Sequence, residues 1–553
     1  MLSCTRRELI ATFLGVGAPL TAAALSQCGV TSAGSVARPS QFDGALLGQN
    51  VELGHRLRDG RVPPPSHTRS VPIVIVGAGI AGLSAAWRLA RARQLDYEVL
   101  ELEPAPGGTA RSGKNSVSAF PLGAHYLPCP LPHARAVRTL LCEMGIAEER
   151  SDGDLDYDET QLVRAPQERV FIADRWYEGE YPHAGATRED QAQLARFERE
   201  LAHLGTLRDA RGRPAFAVPL AYSGDAPELH ALDRVSFAAW LDERGLTSHR
   251  LRWWLEYGTR DDMGATLQQT SAFAGLHYHA ARLTPSGPSP FLTWPEGNGR
   301  LVSHLAQVAG PRLHTDQALT RVRRLPDQRY ELHVLSPATN RCEALIAEHV
   351  VFAVPAAVTA RVLEQPQPAL LEAAHTFRSG AWLVANLTLH RQPSSRGFPL
   401  CWDNVLYGSR SVGYVVNTHQ TDAPDRARSV WTWYLPLTSD DPGEDRRRLL
   451  GLSFQECAEL AVADLARAHR DIAQCIERID VFRWGHAMVR PTPGLYTGSL
   501  AHLRHAAQQP DGGLHFAHSE LSGLALFEEA QWHGVRAAEE ILAARGIHTD
   551  SLS

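Results

Sequence analysis

The stretch Val71-Pro72-Ile73-Val74-Ile75-Val76-Gly77-Ala78-Gly79-Ile80-Ala81-Gly82 governs the reading of the whole chain. Its first half is β-branched and apolar, the composition of a strand buried on both faces in a parallel sheet. The glycines follow at once, and Leu83 to Ala92 then carries apolar residues at helical spacing. A G-x-G-x-x-G run between a strand and a helix is a dinucleotide-binding turn. Gly77 permits the tight turn, with Ala78 inside it. Gly79 lets the backbone approach a pyrophosphate, and Gly82 lets helix and strand pack closely. The helix N-terminus attracts the phosphate charge. A second strand, Tyr97 to Leu102, ends in acid. Glu101 lies where a carboxylate accepting ribose hydroxyls is expected, and Glu103 points to the same side of an extended chain.

Further motifs follow in order: Pro104-Ala105-Pro106-Gly107-Gly108-Thr109-Ala110-Arg111, Phe120-Pro121-Leu122-Gly123-Ala124-His125-Tyr126, Trp294 to Val302, Leu319-Thr320-Arg321-Val322, Leu514 to Glu520, and Phe527-Glu528-Glu529-Ala530. Together they resemble the flavin amine oxidase superfamily, which includes monoamine and polyamine oxidases, protoporphyrinogen oxidase and carotenoid desaturases. The resemblance implies FAD as cofactor. It places Gly107 and Gly108 after the ribose carboxylate. Arg111 substitutes for the family arginine, at whose place Thr109 stands. It puts Gly123, Ala124 and His125 beside the flavin, and Val322 on a strand that touches the adenine through its backbone. Glu520 would hold the ribityl chain, with His518 where glycine is usual. Phe527, Glu528 and Ala530 would open a helix whose N-terminus faces the flavin carbonyls. The implied fold is α/β. Residues 71–150, 290–356 and 480–546 form a Rossmann-like FAD-binding domain, and 151–289 and 357–479 form an interleaved α+β substrate-binding cap.

A flavin carries hydride chemistry itself, and the protein supplies orientation and electrostatics. The resemblance implies oxidation of a small organic substrate, first an amine or polyamine, with O2 or another acceptor taking the electrons. Desaturation or isomerisation of an apolar substrate, and flavin binding without turnover, are the alternatives. Amine oxidases of the family place a lysine near the flavin N5. Here Lys114 is the one lysine among 55 cationic side chains, and it lies beside the Gly-Gly loop. The lysine's usual strand resembles Ala381 to Leu389, where Asn386 falls near the place. An amide can hold a water but cannot act as a base. Histidine titrates near neutrality, which makes His486, between Trp484 and the C-terminal flavin motif, the candidate base. Leu524-Ala525-Leu526 stands where a substrate-guiding ring is usual. Trp294 and Trp484 read as core. The pair His277 and His279, after Arg260-Asp261-Asp262, points two ways on a helix and lacks a third ligand, so no metal is expected.

The 553 residues suit two domains, and 44% of them are apolar, enough for large cores. The net charge of -6 comes without a basic block, which argues against nucleic acid. None of the eight cysteines forms a C-x-x-C pair; isolated thiols are expected for the last six, with disulfides open to an exported protein. At the N-terminus, Arg6-Arg7 before a short, interrupted apolar run resembles a twin-arginine signal over residues 1–30. It implies passage of the folded chain through the twin-arginine translocase to the periplasm or cell envelope. Leu25-Ser26-Gln27-Cys28 resembles a lipoprotein box, which would anchor the protein in a membrane through Cys28. Cleavage near Ala24 or Ala37 is the alternative. Residues 31–70, rich in Ser, Gly, Pro and Arg, read as a flexible linker.

Overall fold

The structure, a computed structural model, describes residues 42–58, 62–284, 287–421 and 427–553. The expected export signal, Cys28 and the first part of the expected linker lie outside the described residues.

In chain order the elements that build the site are β1 (Gly44–Gly48), α1 (Val51–Arg58), β2 (Pro65–Ser70), β3 (Ile73–Val76), α2 (Ile80–Arg91), β4 (Tyr97–Leu100), α3 (His249–Met263), β5 (Ala318–Arg324), β6 (His349–Phe352), β7 (Ser379–Leu389), β8 (Ile476–Val489), β9 (Leu514–Phe516) and α4 (Phe527–Ala544). Strand β3 is central in a five-stranded parallel sheet, ordered Leu313–His314, β4, β3, β6, β9. All four β3 residues are buried, which is why the stretch is apolar without alternation. Helix α2 packs beside β3 and against α4. Gly82 makes the first contact possible, since a Cβ there would lie 1.9 Å from the Gly77 oxygen. Gly534 does the same for the second: its Cβ would lie 2.0 Å from the Ala81 oxygen.

The cap is built on an eight-stranded sheet, ordered β1, β8, β7, Ser429–Leu437, Tyr414–Val416, Asp403–Leu406, Glu168–Ile172, Arg175–Glu178. A helical layer including Arg188–Thr206, α3 and Ala272–Ala280 has its own apolar core around Phe197, Phe237 and Leu251. The two segments expected for the cap thus meet in one sheet.

Two boundaries differ from expectation. Residues 42–58 and 62–70 are not a free tether. Strand β1 pairs with β8, and β2 pairs with Arg341–Ala347 beside the dinucleotide domain. Composition misled here because an edge strand needs few apolar residues of its own; its backbone hydrogen bonds hold it. The second difference is that β8 runs unbroken through residue 480, so 480–489 stay in the cap sheet. The six described cysteines are all free thiols.

Candidate active site

The dinucleotide end is made of backbone. Gly77 has φ +94° and donates its N–H to Leu100 O at 2.8 Å, closing the turn from β3 towards β4. Ala78 N–H donates to a Glu101 carboxylate oxygen at 2.7 Å, and Gly107 N–H to Ala78 O at 2.7 Å. These bonds bring the two glycine loops face to face. A Cβ on Gly108 would lie 3.3 Å from the Gly79 Cα, so any side chain would fill the gap where a pyrophosphate passes. Gly107 and Gly108 also hold positive φ, +119° and +54°. Glu101 is buried, and burial raises its pKa despite bonds from Ala78 and Glu103 N–H. Arg111 faces Glu103 at 3.4 Å and covers the Phe482 ring. Buried Glu520 accepts Ala356 N–H, and burial pushes its pKa up to about 7. It keeps acceptor capacity for a ribityl hydroxyl. The cradle fits FAD.

Beyond the glycine loops lies one cavity with about 780 Å³ of unoccupied space, part of it open to solvent. Thr109, Gly123, Ala124 and His125 line one side, and Ala525, Leu526, Phe527 and Glu528 at the start of α4 another. The cap contributes Trp382 and Val384 from β7, Tyr434, and Trp484, Ala487 and Met488 from β8. Period-two alternation explains the choice. Trp382 and Val384 share a face of β7, while their neighbours Leu383 and Ala385 enter the core on the sheet's other side. The rings form a wall: His125 stacks on Tyr434 at 4.9 Å, and Trp382 meets Tyr434 edge-on at 6.5 Å. Trp484 donates its indole N–H to Leu122 O at 2.6 Å and thus belongs to the cavity wall as well as the core. Trp294 is core, with its N–H on Gln161.

Two of the cavity's carboxyl groups, Asp261 and Asp262, come from the last turn of α3. The Tyr126 hydroxyl lies 3.2 Å from an Asp261 oxygen and 3.1 Å from an Asp262 oxygen. Asp262 is paired with Arg282 at 2.6 Å. Burial first, and then the charge of Asp262, push the Asp261 pKa up to about 7. Burial likewise raises Glu528 and holds His125 neutral, with its pKa lowered to about 3. Arg282, the one cationic side chain among the lining residues, is already paired. The cavity thus sets three carboxyl groups, Asp261, Asp262 and Glu528, against one guanidinium.

Several expected site residues stand elsewhere. His486 is exposed and outside the cavity lining. Between the pairs Gly380↔Met488 and Trp382↔Trp484, three β8 residues oppose one of β7, and this bulge carries His486 outward. Val322 is not at the dinucleotide groove. The start of β5 is, since Gln317 N–H donates to Glu101 O, whereas Val322 lies roughly 15 Å farther along the strand. Its carbonyl accepts Glu364 N–H. Ala530 packs into the core behind α4, one helical turn past Phe527. Lys114 is exposed. Asn386 continues the cavity face of β7 beyond Val384. It is 1% exposed, its Oδ1 accepts from Thr432, and its Nδ2 has no partner among the described residues. His277 is buried with Nε2 on Ala217 O. The sequence reading gave no role to Asp261, Asp262 or Tyr434; the two adjacent acids were the one signal available, and Tyr434 carried none.

A glycine-walled dinucleotide groove opening into an aromatic, acidic cavity is the site of an FAD-dependent oxidoreductase. Residues 80–542 match the family model described as flavin containing amine oxidoreductase, and the chain belongs to that family. No curated protein matches it in sequence. Among solved structures it is similar to putrescine oxidase bound to putrescine, with TM-score 0.63, 17% identity, and coverage of 86% of this chain and 100% of that one. Cyclohexylamine oxidase from Brevibacterium oxydans IH-35A follows at 0.61 and 16%, again over 86% and 100% of the chains. A fatty acid isomerase from P. acnes has TM-score 0.58 and 15% identity over 86% and 98%.

Proposed function

We propose that the protein oxidises a small amine, with a polyamine within the same class, and that Asp261 is the group that receives the amine's proton. The observation that carries this reading is a buried carboxyl group with a pKa near neutrality, set among aromatic rings in the cavity beside the flavin-binding loops. Bound FAD supplies the hydride acceptor. The protein's residues must do the rest. An ammonium ion gives up hydride poorly, so its N–H proton has to leave before the bond between hydrogen and the adjacent carbon breaks. Asp261 takes that proton, oriented by the Tyr126 hydroxyl, while Asp262 stays neutralised by Arg282. Trp382, Tyr434 and Trp484 hold the carbon chain and exclude water. The buried Nδ2 of Asn386, without a partner among the described residues, is the candidate to hold a water in place of the family lysine. The product imine then takes up water and hydrolyses.

Anaerobic mixing with mono-, di- and polyamines tests this. The flavin absorbance should bleach without any added reductase. The apolar stretch Val384, Ala487, Met488, Ala525 and Leu526 favours a second reading, isomerisation or desaturation of an apolar chain. Turnover of an unsaturated fatty acid, with every amine inert, would establish that reading instead. We also propose export by the twin-arginine route. Its support is the Arg6-Arg7 pair with the apolar run behind it. Changing both arginines to lysine should leave flavin-loaded precursor in the cytoplasm. Loss of membrane association in Cys28→Ser would support a lipid anchor.

A further inference from the structure

The segment that looked like a tether crosses from the cap to the dinucleotide groove, and its contacts at the groove are specific. At one end Phe42 is buried in the cap core, and Gly44–Gly48 pair in parallel with Ile479–Arg483 of β8. Only glycine fits at position 44, where a Cβ would lie 1.6 Å from the Ile479 oxygen. At the other end Asn50 caps α1, its Oδ1 accepting Leu53 N–H at 3.0 Å. The Asn50 N–H itself donates to Glu103 Oε1 at 2.8 Å. Glu103 in turn donates its N–H to Glu101, the ribose carboxylate, at 2.9 Å. Leu53 is 5% exposed and packs with Ala318 and Leu335, against Leu102, the residue between those two acids. The remaining sides of Glu101 are occupied by Ala78 N–H, His314 O and Gln317 N–H. The positive end of α1 therefore points at the acidic pair that flanks the adenosine position.

We propose that residues 42–55 form a clasp over the adenosine end of the groove, with Asn50 and Leu53 acting as cofactor-retaining residues. The adenosine half of the dinucleotide leaves only when the Asn50–Glu103 bond breaks and Leu53 lifts from Ala318. Because β1 is paired to β8, which carries Trp484 and Met488 into the cavity, the clasp also ties the cap to the loaded domain.

The test uses the full-length holoprotein and two variants. Asn50→Pro removes the N–H that Glu103 accepts, and Leu53→Asp removes the apolar contact. FAD release is followed by recovery of flavin fluorescence after dilution, and ADP binding to the apoprotein by calorimetry. Both variants should release FAD at least tenfold faster and bind ADP at least tenfold more weakly. The flavin absorption band at saturating FAD should remain that of the wild type. A third variant, Leu251→Ala, lowers stability within the helical layer, in a core that contains neither Phe42 nor Leu53. Release unchanged in both clasp variants overturns the proposal. So does release accelerated equally by Leu251→Ala at matched loss of Tm, which would make the effect one of general stability.

Discussion

The two ends of the site are built by different means. At the dinucleotide end the ligand-facing surface is main chain: Gly77, Gly79, Gly107 and Gly108 lie within short loops whose geometry follows from the residues themselves. At the cavity end it is side chain: Tyr126, Asp261, Trp382, Tyr434 and Trp484 arrive from five separate elements of the chain. A backbone cradle depends most on its glycines, where a side chain would fill the space. A side-chain cavity can change its chemistry one residue at a time without disturbing the cofactor. The difference teaches that cofactor and substrate specificity are separable in this molecule, and mutation can test the separation.

The largest effect is expected at the cradle. Gly79→Leu puts a side chain into the gap facing Gly108 and should yield folded, colourless protein, with FAD affinity lower by roughly 10² or more. Full flavin content in this variant would show that the cradle is not where the cofactor binds. Next comes the cavity. Asp261→Asn should keep its flavin yet lose roughly 10² in the anaerobic reduction rate with the best amine. In the wild type that rate should rise with pH through about 7 as Asp261 ionises, and in the variant this limb should vanish. A limb that survives the substitution belongs to another group.

A smaller, purely thermodynamic effect is expected between the two ends. Glu529 is fully buried, accepts from Leu220 N–H and the Ser522 hydroxyl, and has a pKa pushed by burial from 4.5 up to about 7. The folded state thus holds a proton that the unfolded chain gives up near the ordinary carboxylate value. Its contribution is complete at low pH and declines as pH rises towards 7. Measured by calorimetry on the apoprotein, the Tm of the wild type relative to that of Glu529→Gln should fall by a few degrees over that range. The smallest effect is expected at His486, where His486→Ala should change the reduction rate by less than about twofold, because the bulge turns the ring away from the cavity. A large loss there would return the histidine to the mechanism.

The legible part of the site follows the same division. Glu101 was indicated by its spacing from the glycine turn, and Gly107, Gly108 and Glu520 by the resemblance of their motifs to the family. The error at Val322 had a related cause. The strand was recognised, but a seven-residue strand spans about 20 Å, and only its beginning meets the groove. The expectation at His486 rested on the titration range of histidine and on its place before the C-terminal flavin motif, neither of which fixes the direction of the side chain. A bulge cannot be seen in one strand alone, since it is a mismatch in count between two strands.

What the sequence by itself determined is the cofactor domain: strand, glycine turn, helix and acid follow one another within about thirty residues, and their contacts are short-range. What only the tertiary structure decided is the chemistry above the flavin position and the role of the N-terminal segment. Asp261 acquires its shifted pKa first from burial in a cavity walled by distant parts of the chain and then from the charge of Asp262. Residues 44–48 become a strand because β8 offers an unpaired edge. The strand depends on a partner hundreds of residues away and Asp261 on the burial that the assembled cap imposes, and both are created by folding.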